Sequence, residues 1–149
     1  MLAVRLAPAR HPPFDGEGAR LFGGRWNSAG VPLVYLSEHL SLAVLESLVY
    51  QDRRHLPNDL VAYTVKIPDV LIEHSGEVPP AWFADPLRRQ ARRFGDMWAR
   101  ELRSLALRVP SAVIPSEFNL LLNPRHAEIE QLERVDEQPF VFDPRLRVG

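Results

Sequence analysis

Cysteine is absent from the 149 residues, which excludes disulfide staples, thiolate zinc sites and a cysteine nucleophile. An excess of charge of one sign is lacking as well. Eighteen basic and 19 acidic side chains leave a formal charge of -1, so nothing global favours direct nucleic-acid or polyanion binding by this chain, and any anion site must be local. No apolar run approaches the roughly 20 residues of a membrane helix. Met1–Pro13 carries Arg5 and Arg10 and too short an apolar stretch for a signal peptide, so a cytoplasmic location is expected. The histidines, His11, His39, His55, His74 and His126, show no ligand pair one helical turn apart, and no metal is expected. There is no Walker loop, no dinucleotide-binding Gly-x-Gly-x-x-Gly and no Gly-x-Ser-x-Gly elbow.

What is present suits one globular domain spanning residues 1–149. Hydrophobic residues at 46% and charged residues at 25% can build a core without disorder. Fourteen prolines and eight glycines favour short elements and long connections over a helix bundle. Leu2–Leu6, Leu33–Ser37, Leu60–Ile67, Leu107–Ile114 and Phe140–Phe142 read as strands of a mixed or antiparallel sheet. Ser37 is the expected N-cap of a helix over Glu38–Tyr50. Asp85 followed by Pro86 opens a second helix to about Ser104, with Leu87, Ala91, Phe94, Trp98 and Leu102 on one face. Its run Arg88, Arg89, Arg92 and Arg93 reads as a solvated outer face rather than a nucleic-acid contact. Pro68–Pro86 reads as a long loop that could cover a pocket. The fold class is therefore α/β (α+β).

Three segments carry candidate chemistry. Gly16 to Gly30 holds glycine at 16, 18, 23, 24 and 30, which lets backbone amides approach a ligand, while Arg25 offers a planar fork for phosphate oxygens. The alternative is a surface hairpin with an exposed arginine. Glu46 projects from an apolar helix face, with Leu42, Ala43, Val49 and Tyr50 as its helical neighbours. A carboxylate there must find a partner or give up its charge, and either an active site or a structural ion pair with an arginine such as Arg25 would satisfy that requirement. Arg108 to His126 places Ser111, Ser116, Asn119 and Asn123 among apolar residues. Asn119 and Asn123 read first as loop staples. Ser111 sits on a strand where its hydroxyl could face a pocket, and His126 reads as a turn residue before a general base.

Taken in order, Gly23-Gly24-Arg25-Trp26-Asn27, Val34-Tyr35-Leu36-Ser37, Ala43-Val44-Leu45-Glu46, Val109-Pro110-Ser111 and Asn119-Leu120-Leu121-Leu122-Asn123-Pro124 resemble the RES domain. That family is named for an arginine, a glutamate and a serine, matched here by Arg25, Glu46 and Ser111. Phe142-Asp143-Pro144-Arg145-Leu146 resembles the family's terminal strand, whereas Leu56 to Trp82 matches no strong motif. The resemblance implies a fold like that of ADP-ribosyltransferases and a toxin paired with an Xre-type helix-turn-helix antitoxin. It also implies NAD+ as substrate, consumed by hydrolysis or phosphorolysis or used to modify a protein, in a pocket lined by Arg25, Tyr35, Glu46 and Ser111. Asn119 joins them as a candidate binding residue. A binding module without catalysis is the alternative from another class.

Overall fold

The computed structural model describes residues 1–76, 78 and 82–149. Seven strands form one sheet: β1 (Leu2–Pro8), β2 (Val34–Ser37), β3 (Leu60–Lys66), β4 (Ile72–His74), β5 (Ala106–Pro110), β6 (Phe118–Leu122) and β7 (Glu133–Phe140). Their order across the sheet is β4-β5-β6-β2-β1-β3-β7. Only the β4–β5 pair is parallel, so the sheet is mixed, as expected. Among the described residues three α-helices complete the fold: α1 (Glu17–Phe22), α2 (Leu40–Leu48) and α3 (Arg89–Arg100).

The period-two geometry of strands divides the apolar residues between two faces. On β6, Leu120 and Leu122 join Ala3, Val34, Leu36 and Val65 in one buried cluster. The intervening Leu121 joins Leu33, Leu107 and Val109 in a second cluster, beneath Trp26 and the α3 residues Ala91, Trp98 and Ala99. The central strands β2 and β6 therefore bury both faces. Strand β7 is the opposite case: seven of its eight residues are exposed, and it closes one edge with charged side chains that discourage edge-to-edge pairing.

Several boundaries differ from the sequence expectation for identifiable reasons. Helix α2 begins at Leu40 with His39 as its N-cap, because Ser37 is the last residue of β2 and spends its hydroxyl on Asn119. Helix α3 begins at Arg89. Asp85 does accept backbone N–H bonds from Leu87 and Arg89, each at 3.0 Å, but Arg88 adopts a left-handed conformation (φ 55) and separates that turn from the helix. The helix ends at Arg100, and Leu102 turns left-handed (φ 52). Leu87 and Leu102 are exposed rather than on the buried stripe. Strand β5 stops at Pro110, and Asn119, read first as a loop staple, lies on a central strand over Phe118–Leu122. The last strand precedes Phe142, and Pro144–Leu146 forms a short 3-10 turn. No helix of the described residues is long and apolar enough to cross a membrane.

Helix α3 approaches the glycine segment without spacing side chains. A Cβ on Gly95 would overlap the Trp26 carbonyl oxygen, with the Trp26 Cβ 3.1 Å away. Only glycine permits that approach. Gly95→Ala is expected to cost about 2 kcal/mol or more in chemical denaturation, the scale of overpacking a close contact. An exposed helical control, Gln90→Ala, should change stability little.

Candidate active site

A cleft of about 580 Å3 opens between β1, β2, the glycine segment and α2. Glu46 enters it from α2, Asn119 from β6 and Tyr35 from β2, while Gly23, Gly24 and Arg25 form one wall. Residues far apart in sequence are thus brought to one surface because β2 and β6 pair in register, Ser37 opposite Asn119.

Glu46 is held by neutral donors. The Ser111 hydroxyl donates to its Oε1 at 2.6 Å, and Asn119 Nδ2 donates to the same oxygen at 2.7 Å. Asn119 Oδ1 in turn accepts from the Ser37 hydroxyl at 2.8 Å. Ser111 Oγ accepts the N–H groups of Val113 and Ile114 at 3.1 and 3.0 Å. Such a chain orients every member, because each group's donor and acceptor capacities are used in one sense. Oε1 is committed to the protein, while Oε2 takes no bond from a described residue, and Glu46 lines the cleft. The ion pair with Arg25 is not made. Ser111 is fully buried and absent from the cleft lining, so it meets the cleft only through its hydrogen bond to Glu46.

Arg25 is held at one end only. Its Nη1 donates to the Trp82 carbonyl at 3.3 Å, and its guanidinium lies 5.8 Å from the Trp82 ring centroid. That ring stacks on Trp26 at 5.4 Å. The end of the 68–86 segment therefore buttresses Arg25, and none of its described residues lines the cleft. Guanidinium donors remain for an anionic ligand.

Tyr35 lines the cleft, but its hydroxyl is occupied. It accepts the Trp26 N–H at 3.1 Å and donates to Asn27 Oδ1 at 2.6 Å. Buried Asn27 sends Nδ2 to the carbonyls of Ala19 and Val31 at 2.8 and 2.9 Å. The pair staples the glycine segment on which Arg25 rides. Gly24 packs so closely that a Cβ there would lie 2.5 Å from the Tyr35 hydroxyl oxygen. Burial pushes the Tyr35 phenol well above its ordinary value, with a partial opposing effect from the Trp26 N–H bond.

Two cleft groups, and one arginine that binds the cleft wall, escaped the sequence reading. Arg5, on β1, lines the cleft; Nη1 donates to the Tyr35 carbonyl at 3.1 Å, while its buried Nε has no partner. Burial lowers its pKa, yet a guanidinium keeps its charge at physiological pH. The only signal was a charge inside an otherwise apolar strand. Arg88 reaches the cleft mouth, 5.8 Å from the ring of Tyr50, which also lines it. Arg92 donates Nε to the Gly24 carbonyl at 2.9 Å. The arginine run is therefore not simply a solvated face. Elsewhere, Asn123 is the staple expected, donating to the Ala99 carbonyl at 2.9 Å and accepting Arg125 N–H at 3.0 Å. His126 accepts the Glu128 N–H within a turn and lies outside the cleft lining.

Comparison with known proteins identifies the family and the fold. A family model described as the RES domain matches residues 2–143. A Sphingobium protein named Prs ADP-ribosylating toxin is 35% identical over 137 residues, covering 89% of this chain and 85% of the relative. A Yersinia enterocolitica protein named Toxin Res is 35% identical over 152 residues, covering 99% of this chain and 100% of the relative. The crystal structure of the M. tuberculosis MbcT-MbcA toxin-antitoxin complex contains a chain of the same fold, with a TM-score of 0.74 at 20% identity, covering 97% of this chain and 85% of that one.

Tyr35→Phe leaves the Trp26 N–H and Asn27 Oδ1 without their shared partner and is expected to cost about 1–3 kcal/mol in urea unfolding. The raised phenol pKa fixes the sign of the pH dependence. Its contribution is complete below the unfolded value, about 10, and declines as pH rises through the folded value. The Phe variant should lack that alkaline component, as read from unfolding midpoints across an alkaline series.

Proposed function

Because this chain belongs to the RES-domain family, we propose that it is the toxin of a toxin–antitoxin pair, binding NAD+ and breaking its nicotinamide–ribose bond with Glu46 as the catalytic carboxylate. The observation that carries this reading is the held Glu46, with one oxygen fixed by Ser111 and Asn119 and its side chain on a cleft that also presents Arg25 and Arg5.

The chemistry asks for those groups. As the glycosidic C–N bond breaks, its electron pair leaves with nicotinamide, which departs neutral, and positive charge develops on the ribose. A fixed carboxylate beside that carbon stabilises the oxocarbenium-like transition state without reorganising, as in glycoside cleavage. Water or phosphate then supplies the oxygen that forms the new C–O bond, and the proton released goes to Glu46 or to solvent. Arg25 and Arg5 would hold the two phosphates by charge-assisted hydrogen bonds. Asn119 and Ser111 keep the carboxylate in one rotamer, and the Tyr35–Asn27 pair keeps Arg25 in place. An Xre-type antitoxin that occupies the cleft entrance would silence the protein in the cytoplasm. A second reading, ADP-ribose transfer to a protein, is favoured by the name of the Sphingobium relative. It uses the same bond cleavage with a protein nucleophile in place of water.

Purified protein should release nicotinamide from NAD+, followed by chromatography with and without phosphate. Glu46→Gln should lower the rate about a hundredfold or more, the scale of removing a preorganised electrostatic group. Asn119→Ala should lower kcat by a smaller factor, and Arg25→Ala should raise KM. Release without added protein supports hydrolysis or phosphorolysis according to the product. Labelled ADP-ribose appearing on a protein band supports transfer. Full activity in Glu46→Gln would defeat the mechanism.

A further inference from the structure

We propose that the outer face of α3 is a docking surface for an acidic protein segment that also carries apolar side chains, distinct from the cleft. Leu87, Arg89, Arg92, Arg93, Met97 and Arg100 form, with Asp96 at its floor and Ser28 at its side, a groove of about 510 Å3. None of its lining residues lines the cleft. Helical spacing makes the stripe continuous, since positions 89, 92/93, 96/97 and 100 succeed one another turn by turn.

Its charge is unbalanced. Arg93 and Arg100 are exposed and make no hydrogen bond or ion pair with a described residue. Arg89 has only an exposed 3.5 Å contact with Asp85. The acid within the groove, Asp96, is buried and accepts the Ser28 N–H at 2.9 Å. Four guanidinium groups thus share one groove on a chain whose formal charge is -1, so the concentration is local and not a consequence of composition. Charge complementarity calls for carboxylates or phosphates.

The apolar residues decide between them. Leu87 is 62% exposed and Met97 48% exposed, interleaved with the arginines. A phosphate backbone gains nothing from either, whereas an amphipathic acidic segment would pair its carboxylates with Arg93 and Arg100 and bury its own apolar side chains on Leu87 and Met97. The groove also reaches the cleft's scaffold. Arg92 lines it and holds the Gly24 carbonyl through Nε, so a carboxylate bound at its Nη atoms would share one guanidinium with the cleft wall.

A short fluorescein-labelled peptide of glutamates with leucines at helical spacing is titrated against the full chain by fluorescence anisotropy, beside the same peptide with serine for leucine and a single-stranded oligonucleotide of similar length. The leucine peptide should bind best, and its amide-shift footprint should centre on Ser28 and Met97. Arg93→Glu with Arg100→Glu should weaken it about tenfold or more. Met97→Asp, which leaves all four arginines in place, should weaken it as well. Absence of binding, unchanged affinity in both variants, equal affinity for the serine peptide, tighter binding of the oligonucleotide or a footprint on cleft residues would each overturn the proposal. So would self-association in sedimentation at low salt that the double variant abolishes, since the occupant would then be a second copy of this chain.

Discussion

A carboxylate set on an apolar helix cannot be left to itself. The cost of stripping water from Glu46 without replacing its hydrogen bonds explains why polar side chains appear where the fold would otherwise want apolar ones. Asn119 faces Glu46 from the second residue of a buried strand, Ser37 ends the neighbouring strand with its hydroxyl turned toward Asn119, and Ser111 sits fully buried just past β5. One oxygen atom therefore joins α2, β6 and the turn after β5. Substituting any one donor leaves its half-buried partner partly unpaired, so the network constrains sequence at each of its positions.

A second, independent network fixes the arginine. The glycine segment has no regular structure after α1, and its backbone is held by side chains: Asn27 ties Ala19 to Val31, Tyr35 receives Trp26, and Arg92 binds Gly24. Trp26 then packs between Trp82, Phe94 and the bare backbone at Gly95. The two networks meet on opposite walls of one cleft and share strand β2, which contributes Tyr35 to one and Ser37 to the other. Alternation along that strand separates them by two residues, placing both side chains on the same face.

The parts of this arrangement legible in the sequence were those with a local anomaly. Glu46 stood out because its helical neighbours are apolar, and Arg25 because glycines surround it. Strands β1, β2 and β3 were legible from β-branched runs bounded by proline or polar residues. Strand β6 was not, since Phe118-Asn119 and Asn123-Pro124 bracket only three leucines and imitate a loop; its identity comes from the partners on either side, β2 and β5. Strand β7 was missed because an edge exposed on both faces leaves no hydrophobic period to read. Arg5 stood out only as a charge inside an apolar strand, without showing that it would be buried in a cleft wall, and Gly95 gave no warning that a backbone would pass against it, because both facts depend on elements distant in the chain.

The donors to Glu46 lie 65 and 73 residues further along the chain. Contacts of that separation close late, after the loop entropy between them has been overcome. A polypeptide still being synthesised through α3 already contains Glu46, Arg25 and Tyr35 but nothing to hold the carboxylate, and β2 waits without its β6 partner. The groups that make the cleft chemically distinctive are therefore assembled by the last third of the molecule. During translation the cell is exposed to the parts of the site before it is exposed to the site.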